Sequence, residues 1–195
     1  MIYNERTQRH EQVVASARQM LTAARTAPKA RGVDIIEAIL VEDDDLKLLA
    51  ERMVEIGNNR NRPSFIRDAG NVLQAECIVA IGTRYQSLGL NCGHCGFATC
   101  AEREHSNSQI SNPNSQFSIL NSQFQVPCSL NSIDVGIAVG SACATAADLR
   151  LDTRVMYSIG VAVEQLGWIG TDVHLTMGIA VSASSKNPFF DRPTK

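Results

Sequence analysis

The sequence lacks the features that mark several classes of protein. Aromatic residues make up only 5% of the chain, and 18 Lys and Arg nearly balance 20 Asp and Glu, for a net charge of −2. Proteins that bind nucleic acid usually carry a clustered excess of positive charge. We therefore expect no nucleic-acid partner, and nothing in the composition indicates any other strongly charged partner.

Long hydrophobic segments are also missing. The longest apolar run, residues 135–147, is too short and too rich in Gly and Ala to span a bilayer. Residues 1–6 are polar and lack the hydrophobic region of a signal peptide. We expect a cytoplasmic protein without membrane contact. With 195 residues and 44% hydrophobic composition, the chain can bury a sizeable core, and we expect a single domain over residues 1–195.

Cysteine, in contrast, is well represented, with six residues. In a chain without an export signal, cysteines indicate metal or redox chemistry more than a disulfide framework. Three lie close together with the spacing C-x2-C-x4-C, and a fourth follows a proline after a long gap. Glycines in the first loop allow positive φ, so backbone N–H groups can point at anionic sulfurs. The predicted metal ligands, in a cysteine-rich segment spanning residues 91–128, are Cys92, Cys95, Cys100 and Cys128.

Two kinds of metal centre suit four cysteines, a structural zinc ion and an iron–sulfur cluster. Structural zinc usually has two compact ligand pairs, whereas three neighbouring ligands and a remote one beside a proline are closer to [4Fe–4S] ligation. A zinc-stapled protein without catalysis remains an alternative, and so does a thiol-based redox sensor. We expect His94, between two of the cysteines, to face solvent. No pattern of catalytic side chains stands out, so catalytic residues are unassigned.

Hydrophobic periodicity predicts an alternation of helices and strands. The predicted strands are residues 35–41, 75–82 and 173–181, and the first, being mostly apolar, is expected to be buried on both faces. Residues 42–45 are acidic and are expected to cap the second helix. Cys77, inside a strand, is expected to be a small buried side chain. The predicted helices are residues 4–27, 42–56, 64–73, 97–103, 131–148 and 152–166.

Residues 104–125 are different from the rest of the chain. The tetrapeptide Asn-Ser-Gln-(Ile/Phe) recurs there every seven residues, starting at Asn107, Asn114 and Asn121. One apolar residue per repeat gives no core face, so the segment resembles a low-complexity insertion. We expect a mobile excursion whose removal would spare the fold, because long loops cost little extra closure entropy.

Small residues recur every four positions in the next predicted helix, at Gly136, Gly140 and Ala144. Each glycine in a helix interior costs about 1 kcal/mol, so this stripe is expected to face something that requires a close approach. A neighbouring helix, a second copy of the chain or a flat cofactor would each fit. The stripe makes a homodimer a reasonable expectation.

Four segments together resemble a known family. Residues 91–100, 127–142, 152–157 and 186–192 are similar to the uncharacterised bacterial and archaeal proteins that contain a ferredoxin domain. The resemblance spans nearly the whole chain apart from the repeat segment. It implies that Cys92, Cys95 and Cys100 match the cluster-binding motif of that family, and that Cys128 matches its proline-preceded fourth cysteine. The implied cofactor is a [4Fe–4S] cluster.

A weaker, fold-level resemblance links residues 23–30, 133–147 and 178–186 to flavin-dependent nitroreductases. It implies an α+β fold with a central mixed or antiparallel sheet flanked by helices, and FMN as a second cofactor. Lys29, Arg31 and Lys186 are then the phosphate-side candidates. The two resemblances predict an iron–sulfur redox protein, either an electron carrier or a flavin-linked oxidoreductase. Its partner would be a redox protein or a small-molecule electron donor.

Overall fold

The computed structural model describes residues 2–110 and 126–190, without the side chains of residues 109 and 110. Within these ranges the chain forms helices and strands in an irregular alternation. A short 3-10 turn, Ala30–Gly32, follows the first helix. In chain order the elements are α1 (Glu5–Thr26), β1 (Ile36–Glu42), α2 (Asp45–Asn59), α3 (Pro63–Val72), β2 (Cys77–Arg84), α4 (Cys100–Ile110), α5 (Ser129–Asp148), β3 (Asp152–Met156), α6 (Tyr157–Leu166) and β4 (Val173–Ser182).

The strands form one antiparallel sheet with the order β1-β2-β4-β3. Side chains alternate between the two faces of a strand. The residues of the central strand β2 therefore contribute to two hydrophobic cores, one on each face of the sheet. Cys77, Val79 and Ile81 pack with α1 and α5 on one face. Ile78 and Ala80 pack with α2, α3 and α6 on the other. The predicted class, an α+β fold with an antiparallel sheet flanked by helices, is confirmed.

Both edges of the sheet differ from the sequence predictions. Residues 152–156, predicted as the start of a helix, form the edge strand β3, which pairs with β4. This strand is short and only Met156 in it is buried, so it leaves little periodic signal ahead of the strongly apolar helix α6.

Strand β1 lies at the opposite edge, and only Ile36 and Val41 in it are buried. The prediction that β1 is buried on both faces is confirmed only in part, because Ile36 packs in one core and Val41 in the other, while the remaining residues of this edge strand are partly exposed.

The acidic run before α2 supplies the N-cap residue, Asp44, and the acidic first-turn residue, Asp45, as predicted, but it forms no capping hydrogen bond. The carboxylate of Asp44 instead accepts a hydrogen bond of 2.7 Å from Lys47 Nζ, and this contact lowers the pKa of Asp44. Its charge still lies at the positive end of the helix dipole.

Helix α5 is, by length and composition alone, apolar enough to cross a membrane. In this fold one of its sides packs as a core helix would, with Val135, Ala138 and Ala142 buried against α1 and the sheet. The other side carries the small-residue stripe, and a Cβ added at Gly136 or Gly140 would meet no atom within 4 Å. The stripe therefore does not serve a close helix contact among the described residues.

A close approach does occur on the other face of the sheet, where α6 crosses β4. A Cβ at Gly160 would lie 1.7 Å from the carbonyl oxygen of Thr176, and one at Gly178 would lie 2.1 Å from the side chain of Ile159. No rotamer relieves a clash with backbone. The spacing between α6 and β4 thus depends on glycine at both positions.

We expect Gly160→Ala to lower the free energy of unfolding by about 1–3 kcal/mol, the cost of overpacking a core. Gly70→Ala in α3 is the matched control, because a Cβ there meets no atom within 4 Å. The free energy of unfolding of the control variant should be unchanged or higher by up to about 1 kcal/mol, because Ala has a higher helix propensity than Gly. Urea unfolding followed by circular dichroism measures both, and equal midpoints for the two variants would contradict this account of the packing.

Candidate metal centre

The four predicted ligand cysteines line one pocket. Two separate segments supply them: the loop after β2 with the start of α4, and the residues just before α5. The pocket is formed by Cys92, Cys95, Cys100 and Cys128 together with apolar side chains that include Leu88, Leu90, Phe97 and Leu130. The fold thus brings Cys128 to the other three, although their role as ligands stays a prediction.

The first two cysteines flank a tight turn. The N–H of Gly96 donates to the carbonyl oxygen of Gly93 at 2.9 Å, and both glycines have positive φ, 71° and 90°, a region that L side chains rarely adopt. The turn leaves Cys92 exposed and Cys95 half-buried. His94 faces solvent as predicted, and its carbonyl oxygen accepts a hydrogen bond of 3.2 Å from Ser129 Oγ. That bond joins the turn to the residue after Cys128.

Cys100 is the first residue of α4, and Asn91 holds it from both sides. Its N–H donates to Asn91 Oδ1 at 2.9 Å, and the N–H of Asn91 points at Cys100 Sγ from 3.4 Å. The hydroxyl of Ser87, which makes no hydrogen bond of standard geometry among the described residues, lies near this sulfur. Ser87 first, and then the N–H of Asn91, lower the pKa of Cys100. The surroundings of Cys100 favour its thiolate form.

Helix α4 begins three residues later than predicted, and a variant of the capping box, in which the Glu102 carboxylate reaches the residue before the cap, explains the start. The N–H of Glu102 donates to Thr99 Oγ1 at 3.2 Å, and the Glu102 carboxylate accepts from the N–H of Ala98 at 3.1 Å. Thr and Glu three residues apart are a visible sequence signal for a helix start. The capping box fixes Cys100 at the helix N-terminus.

Cys128 is the N-cap residue of α5 and is only 7% exposed. The predicted caps, Asn131 and Ser132, were wrong, because the helix already begins at Ser129. Asn131 is buried inside the first turn and donates to the carbonyl oxygen of Gln86 at 2.9 Å, which ties α5 to the loop after β2. Cys100 and Cys128 therefore both lie at helix N-termini, where the helix dipole favours negative charge.

The predicted insertion begins too early at residue 104, because α4 continues to Ile110. Arg103 and Asn107, on successive turns of this helix, are 3% and 2% exposed, and Arg103 also lines the thiol pocket. Neither residue was predicted to have a role in the site, since a polar repeat gives no sign of burial. The later repeats, with Asn114 and Asn121, lie outside the described residues.

The rings of Tyr85 and His174 form an aromatic pair next to Arg103. The guanidinium of Arg103 is 5.8 Å from the ring centroid of Tyr85, and the Tyr85 ring lies 4.7 Å from the ring of His174. Burial first, and the charge of Arg103 second, lower the pKa of His174. Both ring nitrogens of His174 are buried without a hydrogen bond of standard geometry among the described residues. Arg103 is thus the charged member of this stack.

The cations suggested for a flavin phosphate have other roles in the fold. Lys29 Nζ donates to the carbonyl oxygens of Ala24, Arg25 and Ala27 at the end of α1, so its three donors are used there. Arg31 donates to the carbonyl oxygen of Leu88 at 2.6 Å and supports the wall of the thiol pocket. Lys186 lies in the extended segment after β4 and does not line that pocket.

The remaining two cysteines are outside the pocket. Cys77 is fully buried in β2, as predicted, and burial raises the pKa of its thiol to about 12. Burial also raises the pKa of Cys143 in α5. The raised pKa values favour the protonated form of both thiols.

The pocket offers four thiols but no ready-made site for a single metal ion among the described residues. No three Cys, His, Asp or Glu side chains in the described ranges are close enough to hold one metal ion. Zinc would require bonds of about 2.3 Å from every sulfur to a single centre. An iron–sulfur cube spreads its four thiolates over four irons, so a donor set of four cysteines around a pocket fits that cluster.

Comparison with known proteins identifies relatives. The sequence profile of a family described as "Uncharacterized protein containing a ferredoxin domain" matches residues 125–192. An uncharacterized protein of the archaeon Archaeoglobus fulgidus is 38% identical over 196 residues, which cover 100% of both chains. This relative therefore aligns along the complete sequence, beyond the region matched by the profile.

Solved structures share the fold at low identity. An oxidoreductase containing FMN has a TM-score of 0.53 at 14% identity over 88% of this chain and 67% of that one. Nitroreductase A from Vibrio parahaemolyticus has a TM-score of 0.52 at 14% identity over 92% of this chain. NfrA2 of B. megaterium has a TM-score of 0.52 at 17% identity over 95% of this chain and 68% of that one.

This chain spans only 61% of the length of nitroreductase A, and at such identities the likeness shows the fold alone. The nitroreductase-like architecture expected from the sequence is confirmed. The 38% identity to the archaeal relative along both chains, with the profile match over residues 125–192, establishes that the chain belongs to the family of uncharacterized proteins that contain a ferredoxin domain.

Proposed function

We propose that this protein transfers electrons through a [4Fe–4S] cluster bound by Cys92, Cys95, Cys100 and Cys128. The observation that carries the proposal is that two segments far apart in sequence bring these four thiols to one pocket. Soft thiolate ligands in this number select zinc or iron–sulfur clusters. Membership of a family with a ferredoxin domain supports the iron–sulfur alternative.

The residues around the pocket suit an anionic centre. The N-termini of α4 and α5 lie at Cys100 and Cys128, and the N–H of Asn91 points at a sulfur. Hydrogen bonds to sulfur and partial burial are the means by which a protein tunes a cluster potential. When bound, the cluster would supply one-electron transfer. The exposed side of the pocket at Cys92 would be the contact point for a redox partner protein or a small-molecule donor.

A flavin-linked oxidoreductase is the second candidate, favoured by the fold that the chain shares with an oxidoreductase containing FMN. The cations considered for the flavin phosphate do not support it. Lys29 is used to cap α1, and Arg31 is bonded to the backbone beside the thiol pocket. We therefore assign no step of the proposed function to a flavin.

Protein purified without oxygen is expected to absorb broadly in the visible range and to contain about four irons and four sulfides per chain. Cys95→Ser should lose most of the colour and iron. Cys143→Ser, at a half-buried thiol outside the pocket, is the matched control and should keep both. A colourless wild type with one zinc would favour the structural alternative, because zinc has no visible spectrum. Resolved flavin bands would support the second candidate.

We also propose that two copies of the chain associate through the exposed side of α5. Two large apolar side chains on this side, Ile133 and Ile137, are 46% and 38% exposed, and they flank the glycines that face open space. A smooth apolar surface of this kind allows two helices to approach closely. A second copy of the same helix is the proposed occupant.

Light scattering should give the mass of a dimer for the wild type and of a monomer for Gly140→Arg, because a buried charge without a partner opposes association. The control is Gly70→Arg, in α3 on the other face of the sheet, which also points into open space and should stay dimeric. The far-ultraviolet circular dichroism of the two variants should match that of the wild type, which checks that both are folded, and the unfolding midpoint of Gly140→Arg should no longer rise with protein concentration. A monomeric wild type would overturn the proposal.

A further inference from the structure

The segment that carries the fourth cysteine is held by a hydrogen-bonded contact from α4. Asn107 Nδ2 donates to the carbonyl oxygen of Val126 at 3.1 Å, and the N–H of Val126 donates to Asn107 Oδ1 at 2.8 Å. One side-chain amide thus satisfies both polar groups of one backbone residue, much as a neighbouring strand would. Val126 lies two residues before Cys128.

Two further side chains complete this contact. Arg103 donates to the same Val126 carbonyl at 3.2 Å, and Asn107 Nδ2 also donates to the hydroxyl of Tyr85. We call Tyr85, Arg103 and Asn107 the Val126 clamp. Arg103 and Asn107 are nearly completely buried. Leaving such groups without a partner costs about 1–3 kcal/mol each, so the clamp strongly favours one position of Val126.

The position of Val126 determines that of Cys128. Only Pro127 separates them, and its ring fixes φ near −65°, so the three-residue segment has little freedom. Cys100, Arg103 and Asn107 follow one another at intervals of three and four residues in α4, which places them on one face of the helix. The same helix face therefore presents one predicted ligand and two members of the clamp.

We propose that Arg103 and Asn107 are positioning residues that hold Cys128 in the pocket as the fourth ligand, through their hydrogen bonds to Val126. This inference rests on the proposed [4Fe–4S] site. The clamp ties the fourth ligand directly to α4, the helix that begins at the third ligand. The first copy of the Asn-Ser-Gln repeat, at Asn107, thus has a specific role.

The first test needs no metal. Reduced, metal-free protein is treated with iodoacetamide, and the rate of modification of each cysteine is read by mass spectrometry. In the wild type Cys128, which is 7% exposed, should react slowly. Asn107→Ala should raise its rate about tenfold or more, because the lost hydrogen bonds free the segment. The rate at Cys92 should not change, and Ser108→Ala, at the exposed neighbour in α4, should match the wild type.

The second test uses the cluster as the readout. After anaerobic reconstitution, Asn107→Ala should lose one iron selectively as Fe2+, which leaves about three irons per four sulfides. One-electron oxidation with ferricyanide should then give the electron paramagnetic resonance signal of an oxidised three-iron cluster. A general loss of structure would remove all the iron instead. Asn107→Asp keeps the oxygen that accepts from Val126 and should retain more of the fourth iron than Asn107→Ala does.

The two tests separate the inference from the proposed function. Unchanged alkylation of Cys128 in Asn107→Ala would overturn the clamp, whatever metal the protein binds. A wild type that binds no cluster would overturn the proposed function, while the alkylation rates would still decide the clamp. If Asn107→Ala loses its helical circular dichroism, Arg103→Met, which removes the other hydrogen bond to Val126, provides the alkylation comparison, and a Cys128 rate equal to that of the wild type would then overturn the inference.

Discussion

Bringing four thiols into one pocket is the physical constraint on which the site depends. Thiolates repel one another, and a pocket with leucine and phenylalanine walls offers less solvation than water does. The chain compensates with partial charges that are fixed in place. Cys100 and Cys128 each lie at the positive end of a helix, and Arg103 adds a full positive charge to the pocket wall. Helix starts and a buried cation thus provide the electrostatic surroundings that an anionic centre requires.

The sheet determines where these helix starts can lie. Strand β2 is central and fully buried up to Thr83, and the loop that follows it leads directly into the cysteine turn. Helix α5 is held against the same region by the bond from Asn131 to the carbonyl oxygen of Gln86. Rigid elements on both sides therefore support the loop. Functional residues on loops are commonly positioned by a rigid scaffold in this way.

The sequence predicted the parts of the fold that have strong periodicity or special residues. Helix α1, strands β2 and β4 and the burial of Cys77 are in this group, because a long apolar pattern is visible without knowledge of tertiary contacts. Strand β3 was missed because its pairing with β4 leaves most of it half-buried. Asn107 was missed for a related reason: a polar side chain becomes a buried contact only when Tyr85 and Val126 surround it. The sequence around Asn107 therefore gives no indication of its contacts with Tyr85 and Val126.

Helix α5 links the two proposals about function. It begins next to Cys128 and exposes its apolar side from Ile133 onward, about one turn of 5.4 Å beyond the pocket. Association through this side would place the partner helix near the thiol pocket of each copy. The exposed turn at Cys92 and His94 contacts α5 at its first residue, Ser129, before the exposed apolar side begins. A dimer formed through α5 would then restrain the helix that carries Cys128, while the turn of Cys92 would remain the route for electrons.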